Sequence, residues 1–277
     1  MAVTESAQVP GPAAPPDQAE PAGERAANRA AILDERARGA AVVDHLPFWY
    51  SVHLNEPCNQ RCIMCVPTGN HGEGQIDYGQ FVALFDQIKD YAEHITLIGG
   101  ETLMYPQITE VLDLLARHPV GVTINTNATM LDERITPHLL ALHQLDLKCS
   151  IDAVTADTYL RIRGRNHFRR VSQRLLDFAD RAAGRENIAI IPIYVVMREN
   201  LHEVVPFLDF AELLDPRRVE FHPVRHVESW SVQNGTGWHF EGSEQVCESA
   251  PEEFNSVMAE AQRVADRKGI EIEIHEL

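Results

Sequence analysis

The sequence predicts an α/β fold in which six strand-helix units wrap into a partial TIM-like (βα)6 barrel of parallel strands. Three observations carry this reading. Short apolar runs alternate with segments of helical period six times between residues 45 and 225. The runs are apolar almost throughout, as strands covered on both faces must be. Polar residues gather just after each run, at the end where a parallel barrel presents its working face.

The opening "MAVTESAQVPGPAAPPDQAEPAGERAANRAA" offers Ala, Pro, Gly and charge with few large apolar side chains. A disordered leader over 1–44 is expected, carrying one short solvated helix near 28–40. The barrel should occupy 45–225. "FWYSVHLN" is its first strand, and "YGQFVALFDQIKDY" its first helix, with Phe81, Leu84, Phe85 and Ile88 on one face and Asp77 with Gln80 as a capping box. "HITLIGGE" begins the second unit, whose helix repeats the spacing through Ile108, Val111, Leu112 and Leu115. "GVTINTN" and a helix over 131–142 form the third, and "LDLKCSID" with helical segments near 155–162 and 168–182 the fourth. "IAIIPIYVVM" and "LHEVVPFLDFAELL" make the fifth, and "RVEFHPVR" the sixth strand. Residues 226–277 then supply a long aperiodic loop, a helix near 251–268 and a closing "IEIEIHE", expected to pack on the barrel.

A formal charge of -17 argues against a nucleic-acid surface, which needs a basic face. No run reaches the twenty or so apolar residues of a membrane span, and no signal segment opens the chain, so a cytoplasmic protein without membrane or nucleic-acid partners is expected. Five cysteines, an odd number in such a chain, point to metal or redox use rather than a disulfide framework.

Three of those cysteines, Cys58, Cys62 and Cys65, fall in "NEPCNQRCIMCVP" directly after the first strand. Three thiolates so spaced can hold three irons of a cubane iron-sulfur cluster, leaving the fourth iron open to a small molecule. The other strand ends supply Gly99, Gly100 and Glu101; Asn125 and Asn127; Ser150 and Asp152; Met197, Arg198 and Asn200; and His222 and Arg225. All six ends are expected to face one cavity.

"CNQRCIMC" is similar to the C-x3-C-x2-C motif of the radical S-adenosylmethionine enzymes, and "LIGGETLMYP" resembles their glycine-glycine-glutamate motif on the second strand. The resemblance runs from about Ser51 to Arg225. It implies a 4Fe-4S cluster on Cys58, Cys62 and Cys65 whose open iron is chelated by S-adenosylmethionine. It further implies reductive cleavage to a 5'-deoxyadenosyl radical that abstracts a substrate hydrogen, with the electron drawn from a donor such as flavodoxin or ferredoxin. Gly99 and Gly100, lacking a Cβ, would admit the methionine group. Glu101 or the carbonyls beside it would take the ammonium, and Ser150 and Asp152 would lie near the ribose or carboxylate. Arg163 of "RIRGR" would pair the carboxylate, and Asn127 would stand in the third-strand turn.

This chain departs from the family pattern at three points. Met64 holds a position that is commonly aromatic and contacts the adenine; Thr102 stands where proline often follows the glycines; "NTNAT" replaces a frequent asparagine-glycine turn. "YLRIRGRNHFRRV" and "VVMRENLHEV" resemble the subset that often continues into a cysteine-rich SPASM-type extension. The sequence stops at Leu277 with only Cys247 beyond the barrel, which reads as a protein needing no auxiliary cluster or as a shortened chain. The resemblance leans toward modification of a peptide or natural product, with a small-molecule substrate as the other choice. Two other classes compete: a zinc-stabilised binding protein, its site completed by His53 or His71, and an impaired barrel serving as a scaffold. Cys149 reads as a buried small residue and Cys247 as an exposed thiol. Trp230 and Trp238 stand as either substrate cover or loop packing.

Overall fold

A computed structural model describes residues 23–65, 72–224, 231–233 and 239–274. The disorder expected before residue 23, and the roles suggested for His71, Arg225, Trp230 and Trp238, lie outside the described residues. Helix α1 (Glu24–Ala37) is followed by β1 (Trp49–Asn55), α2 (Tyr78–Ile88), β2 (His94–Gly99), α3 (Ile108–Leu115), β3 (Gly121–Thr126) and α4 (Thr136–Leu140). Next come β4 (Gln144–Ser150), α5 (Ala156–Arg163), α6 (Phe168–Ala182), β5 (Ile188–Val196), α7 (Val204–Glu212) and β6 (Val219–Pro223). A small antiparallel pair, β7 (Ser231–Gln233) and β8 (His239–Glu241), precedes α8 (Gly242–Gln245), α9 (Pro251–Lys268) and β9 (Ile272–Ile274).

The strands form one parallel sheet in the order β1-β2-β3-β4-β5-β6-β9, the sequential order of a partial TIM-like barrel. Six strands match the predicted units. The seventh is the closing run, which pairs parallel to β6 with Val219 opposite Ile272 and Phe221 opposite Ile274. The Asp77 capping box also forms: its carboxylate accepts from the Gly79 and Gln80 amides, and Gln80 accepts from the Asp77 amide. Phe81, Phe85, Leu97, Ile124, Leu147, Phe178, Tyr194, Phe207 and Phe221 join one apolar core between sheet and helices.

Because successive side chains alternate across a strand, the residues between these core positions point to the other face. On β4 and β6 they are Asp146, Lys148, Ser150, Glu220 and His222. Glu220 is buried at 1% exposure and ties β6 to β4 across β5: Lys148 Nζ stands 2.9 Å away, with Arg218 Nε, from the residue just before β6, at 2.9 Å and His222 Nε2, on β6 itself, at 3.1 Å. Burial raises its pKa. Hydrogen bonds from His222 and Lys148, with the charges of Lys148 and Arg218, outweigh burial and hold it down to about 2. A carboxyl depressed on folding contributes stability above its unfolded value, and that stability is lost as pH falls from 4.5 toward 2. The shift corresponds to on the order of 3 kcal/mol. In thermal melts between pH 2 and 5, Glu220→Gln should therefore flatten the acid limb, and an unchanged limb would remove Glu220 as its source.

Helix α1 does not stand free as a solvated leader. Arg25 donates to the carbonyls of Lys89 and Pro119, Asn28 Nδ2 to Leu46 O at 2.7 Å, and Arg29 reaches Glu93 at 3.3 Å while lying over the Phe48 ring. The helix is thus fastened beside the segments that lead into β1, β2 and β3. Cys149 is fully buried as expected, whereas Cys247 corrects the reading of an exposed thiol. It is 1% exposed within the core, its Sγ directed at Val196 O, and burial pushes its thiol up to about 12.

Candidate active site

The cysteine segment is held in place by two neighbours, beginning with the glycine turn. Gly100 N donates to Asn55 O at 2.8 Å, Glu101 N to Pro57 O at 2.9 Å, and Asn55 Nδ2 to Glu101 O at 3.0 Å. These bonds bring the two backbones so close that a Cβ on Gly100 would overlap Glu56 O and lie 2.6 Å from Pro57 O. On Gly99 it would overlap Asn55 Oδ1 and lie 2.7 Å from Asn55 O. The close approach these glycines permit is therefore that of the cysteine segment itself.

The second neighbour is the end of α5. Arg61 N donates to Arg163 O and Ile63 N to Ile162 O, both at 3.0 Å. Gly164 ends the helix at φ +68, a left-handed conformation that favours glycine, and a Cβ there would stand 2.5 Å from Arg61 O. The sequence reading passed over Gly164, although a glycine after a helical run ending in arginine is a helix-stop signal.

Between these supports the three thiols are neighbours. Cys62 hydrogen-bonds Cys65, and both that contact and burial push the Cys62 thiol well up; burial also raises Cys58. Each of two sulfurs meets N–H donors. Cys58 Sγ lies 3.4 Å from Gln60 N and 3.8 Å from Asn127 Nδ2, and Cys62 Sγ lies 3.5 Å from Arg163 Nη1.

The remaining predicted residues surround this centre. Glu101 is buried, its Oε1 accepting from Thr126 Oγ1 at 2.5 Å and Leu103 N at 3.1 Å, and its Oε2 from Asn127 N at 2.6 Å. Burial raises its pKa, against the lowering effect of those three bonds and of the Arg163 charge. Asn127 Nδ2 also reaches Asn59 Oδ1, and Ala128 after it takes φ +60, the conformation for which glycine is suited in a turn. Asp152 is wholly buried and paired to Arg163, Oδ2 to Nη2, at 2.5 Å. Ser150 is half-buried at the end of β4. Met64 packs against a small apolar group of Ile63, Ile162, Met197, Val224 and Val246 at the same end of the barrel. Two further residues, Asn59 and Thr126, enter the site without having been predicted; both are ordinary polar residues whose partners lie on other elements.

Thiolates at Cys58 and Cys62 are disfavoured by burial until a cationic centre compensates them. A cluster engages each cysteine at a separate iron and is tuned by hydrogen bonds to the sulfurs, so this donor set fits it. Among the described residues no group of three or more His, Cys, Asp or Glu is placed to hold a single metal ion. His53, offered above as a zinc ligand, is exposed with Nε2 3.0 Å from Asn55 O.

A parallel partial barrel with three supported thiols in the segment after its first strand defines a cofactor-dependent enzyme of the α/β-barrel class. The chain belongs to the radical SAM superfamily, whose profile matches residues 54–211. It is an enzyme of that family, which uses a 4Fe-4S cluster and S-adenosylmethionine. It is 26% identical over 167 residues to the mycofactocin maturase MftC of Mycobacterium tuberculosis, covering 60% of this chain and 42% of that protein. It is 29% identical over 174 residues to the GTP 3',8-cyclase of Synechocystis sp., covering 58% and 49%. The chain thus spans less than half the length of these relatives. Among solved structures, Streptococcus suis SuiB bound to S-adenosylmethionine superposes with a TM-score of 0.68 at 11% identity, covering 90% of this chain and 54% of that one. The enzyme anSMEcpe with AdoMet and a Cp18Cys peptide gives 0.61 at 14%, covering 81% and 63%. At such identities the likeness concerns the fold. No helix among the described residues is long and apolar enough to cross a membrane.

Proposed function

We propose that Cys58, Cys62 and Cys65 hold the cluster and that the chain abstracts a hydrogen atom from a peptide or other small-molecule substrate seated over the strand ends. The observation that carries this is the thiol triplet fixed between the Gly99-Gly100 turn and the end of α5. Held by Cys58, Cys62 and Cys65, such a cluster would supply one-electron reduction of the sulfonium of S-adenosylmethionine, the chemistry that yields a 5'-deoxyadenosyl radical.

The protein's part is placement. Three of the roughly four acceptor positions of Glu101 are filled by protein donors, leaving one for the cofactor's ammonium. Met64 offers a polarizable apolar surface to the adenine. Asn127 fixes the third-strand turn beside Cys58. Ser150 serves the ribose or carboxylate, since Asp152 is buried and already paired.

A peptide substrate is supported by the maturase relative and by SuiB having been solved with its precursor peptide SuiA; the cyclase relative supports a small molecule. A low-potential donor such as flavodoxin or ferredoxin completes the reading, in a cytoplasmic setting where the five free cysteines stay reduced.

The test is anaerobic reconstitution with iron and sulfide, followed by S-adenosylmethionine and a strong reductant. Formation of 5'-deoxyadenosine that ceases on alanine replacement of the three cysteines is expected. A fully loaded cluster that yields none would overturn the reading.

A further inference from the structure

The end of α5 does more than support the cysteine backbone. The Arg163 side chain is 6% exposed, and its two terminal nitrogens are both engaged, Nη1 at Cys62 Sγ and Nη2 at Asp152 Oδ2. Asp152 is itself held from β5: its Oδ1 accepts from Val195 N at 2.8 Å and its carbonyl from Asn200 Nδ2 at 3.0 Å. Asn200, wholly buried, also donates to Val195 O and accepts from Met197 N, while Tyr194 Oη donates to its carbonyl. Asp152 adopts φ +63, uncommon for a residue with a side chain, and these bonds over-determine it. A continuous buried chain therefore runs from β5 through Asn200, Asp152 and Arg163 to the sulfur of Cys62.

We infer that Arg163 is a positioning residue that sets the reduction potential of the cluster, oriented by Asp152, an inference that rests on the cysteines binding a cluster as proposed above. The physical argument concerns charge. On taking one electron from its donor the cluster gains one negative charge, so a fixed guanidinium donating to a ligand sulfur favours the reduced form. Asp152 offsets part of that charge while aiming it. A role in gripping the cofactor's carboxylate would use the guanidinium N–H groups that face neither Cys62 nor Asp152, and it would be read as lost cofactor affinity rather than as a shifted potential.

The two partners consequently act in opposite directions. Arg163→Gln removes the cation and should make the potential more negative. Asp152→Asn leaves the cation uncompensated and should make it less negative; asparagine tolerates the left-handed backbone and keeps an oxygen for Val195 N. A tenfold change in the equilibrium constant for reduction, 59 mV for one electron, is the expected size of each shift.

The experiment is a redox titration of the reconstituted full chain without S-adenosylmethionine, followed by electron paramagnetic resonance of the reduced cluster, with iron content and cofactor affinity measured alongside. Opposite shifts at native iron content support the inference. Shifts in one direction, or none, overturn it, as does an Arg163→Gln protein that loses cofactor affinity while its potential stays put. If Arg163→Gln takes up no cluster, Asp152→Asn decides alone: a less negative potential supports the role, and any other result overturns it. Should the unaltered protein itself bind no cluster, the proposed function fails first and this inference with it.

Discussion

Gly100→Ala should unseat the cysteine segment, lowering both the melting temperature and the iron taken up on reconstitution to less than half that of the unaltered chain. The glycine is not required for its torsion, since Gly100 is not among the positive-φ positions. It is required for space. An added methyl would overlap Glu56 O, with Pro57 O only 2.6 Å away, and both belong to backbone that cannot rotate aside as a flexible side chain does. Overpacking of this kind costs about 1–3 kcal/mol. In a chain of this size each kcal/mol lowers the midpoint by ~2–4 °C. The functional loss should exceed the thermal one, because the same displacement breaks the bonds from Gly100 N and Glu101 N that set where Cys58 begins. Native iron content and melting temperature in the variant would mean that the segment is free to move, and that the glycine turn does not seat it.

This pair of contacts also shows which parts of the site a sequence exposes. The cysteine spacing and the double glycine are local patterns, and each strand with its helix carries its own periodicity, so the barrel and its strand ends could be read from the chain. What the glycines are for could not. Their partners are Asn55, Glu56 and Pro57, more than forty residues earlier, and most of the atoms met are backbone atoms that no sequence pattern announces. The same reason hid the docking of α1, whose Arg25 and Asn28 bind carbonyls of Lys89, Pro119 and Leu46. It also concealed two protein neighbours of Arg163. Family resemblance implies the cofactor's carboxylate for that residue, and the fold adds Asp152 and Cys62, on two other segments of the chain. Cys247 was misread because its loop lacks period, yet the residues after it enter α9, which carries Phe254, Met258, Ala261 and Ala265 into the core. The final strand alternates Ile with Glu, and its pairing to β6 depends on the crossover that α9 provides.

Glu101→Gln is expected to weaken S-adenosylmethionine binding by roughly 10–100-fold and to destabilise the chain by ~1–3 kcal/mol. The two effects have separate origins. In the unaltered site Leu103 N meets Oε1 and Asn127 N meets Oε2, two fixed backbone donors on the two oxygens of one carboxylate. An amide can satisfy only one of them. In either orientation its NH2 group faces a buried N–H, and Thr126, whose hydroxyl can turn, relieves only its own contact. The binding loss follows from charge: a neutral amide no longer offers an anion to an ammonium, and a hydrogen bond to a charged group is worth about 1.5–3 kcal/mol. Iron content should stay near that of the unaltered protein, because Glu101 touches no sulfur directly and its backbone bond to Pro57 survives the change. Equilibrium dialysis of S-adenosylmethionine against the cluster-loaded protein, read together with a thermal melt, separates the two. A variant that melts lower yet binds the cofactor as tightly as before would confine Glu101 to joining the ends of β2 and β3, and would shift the ammonium to the neighbouring carbonyls.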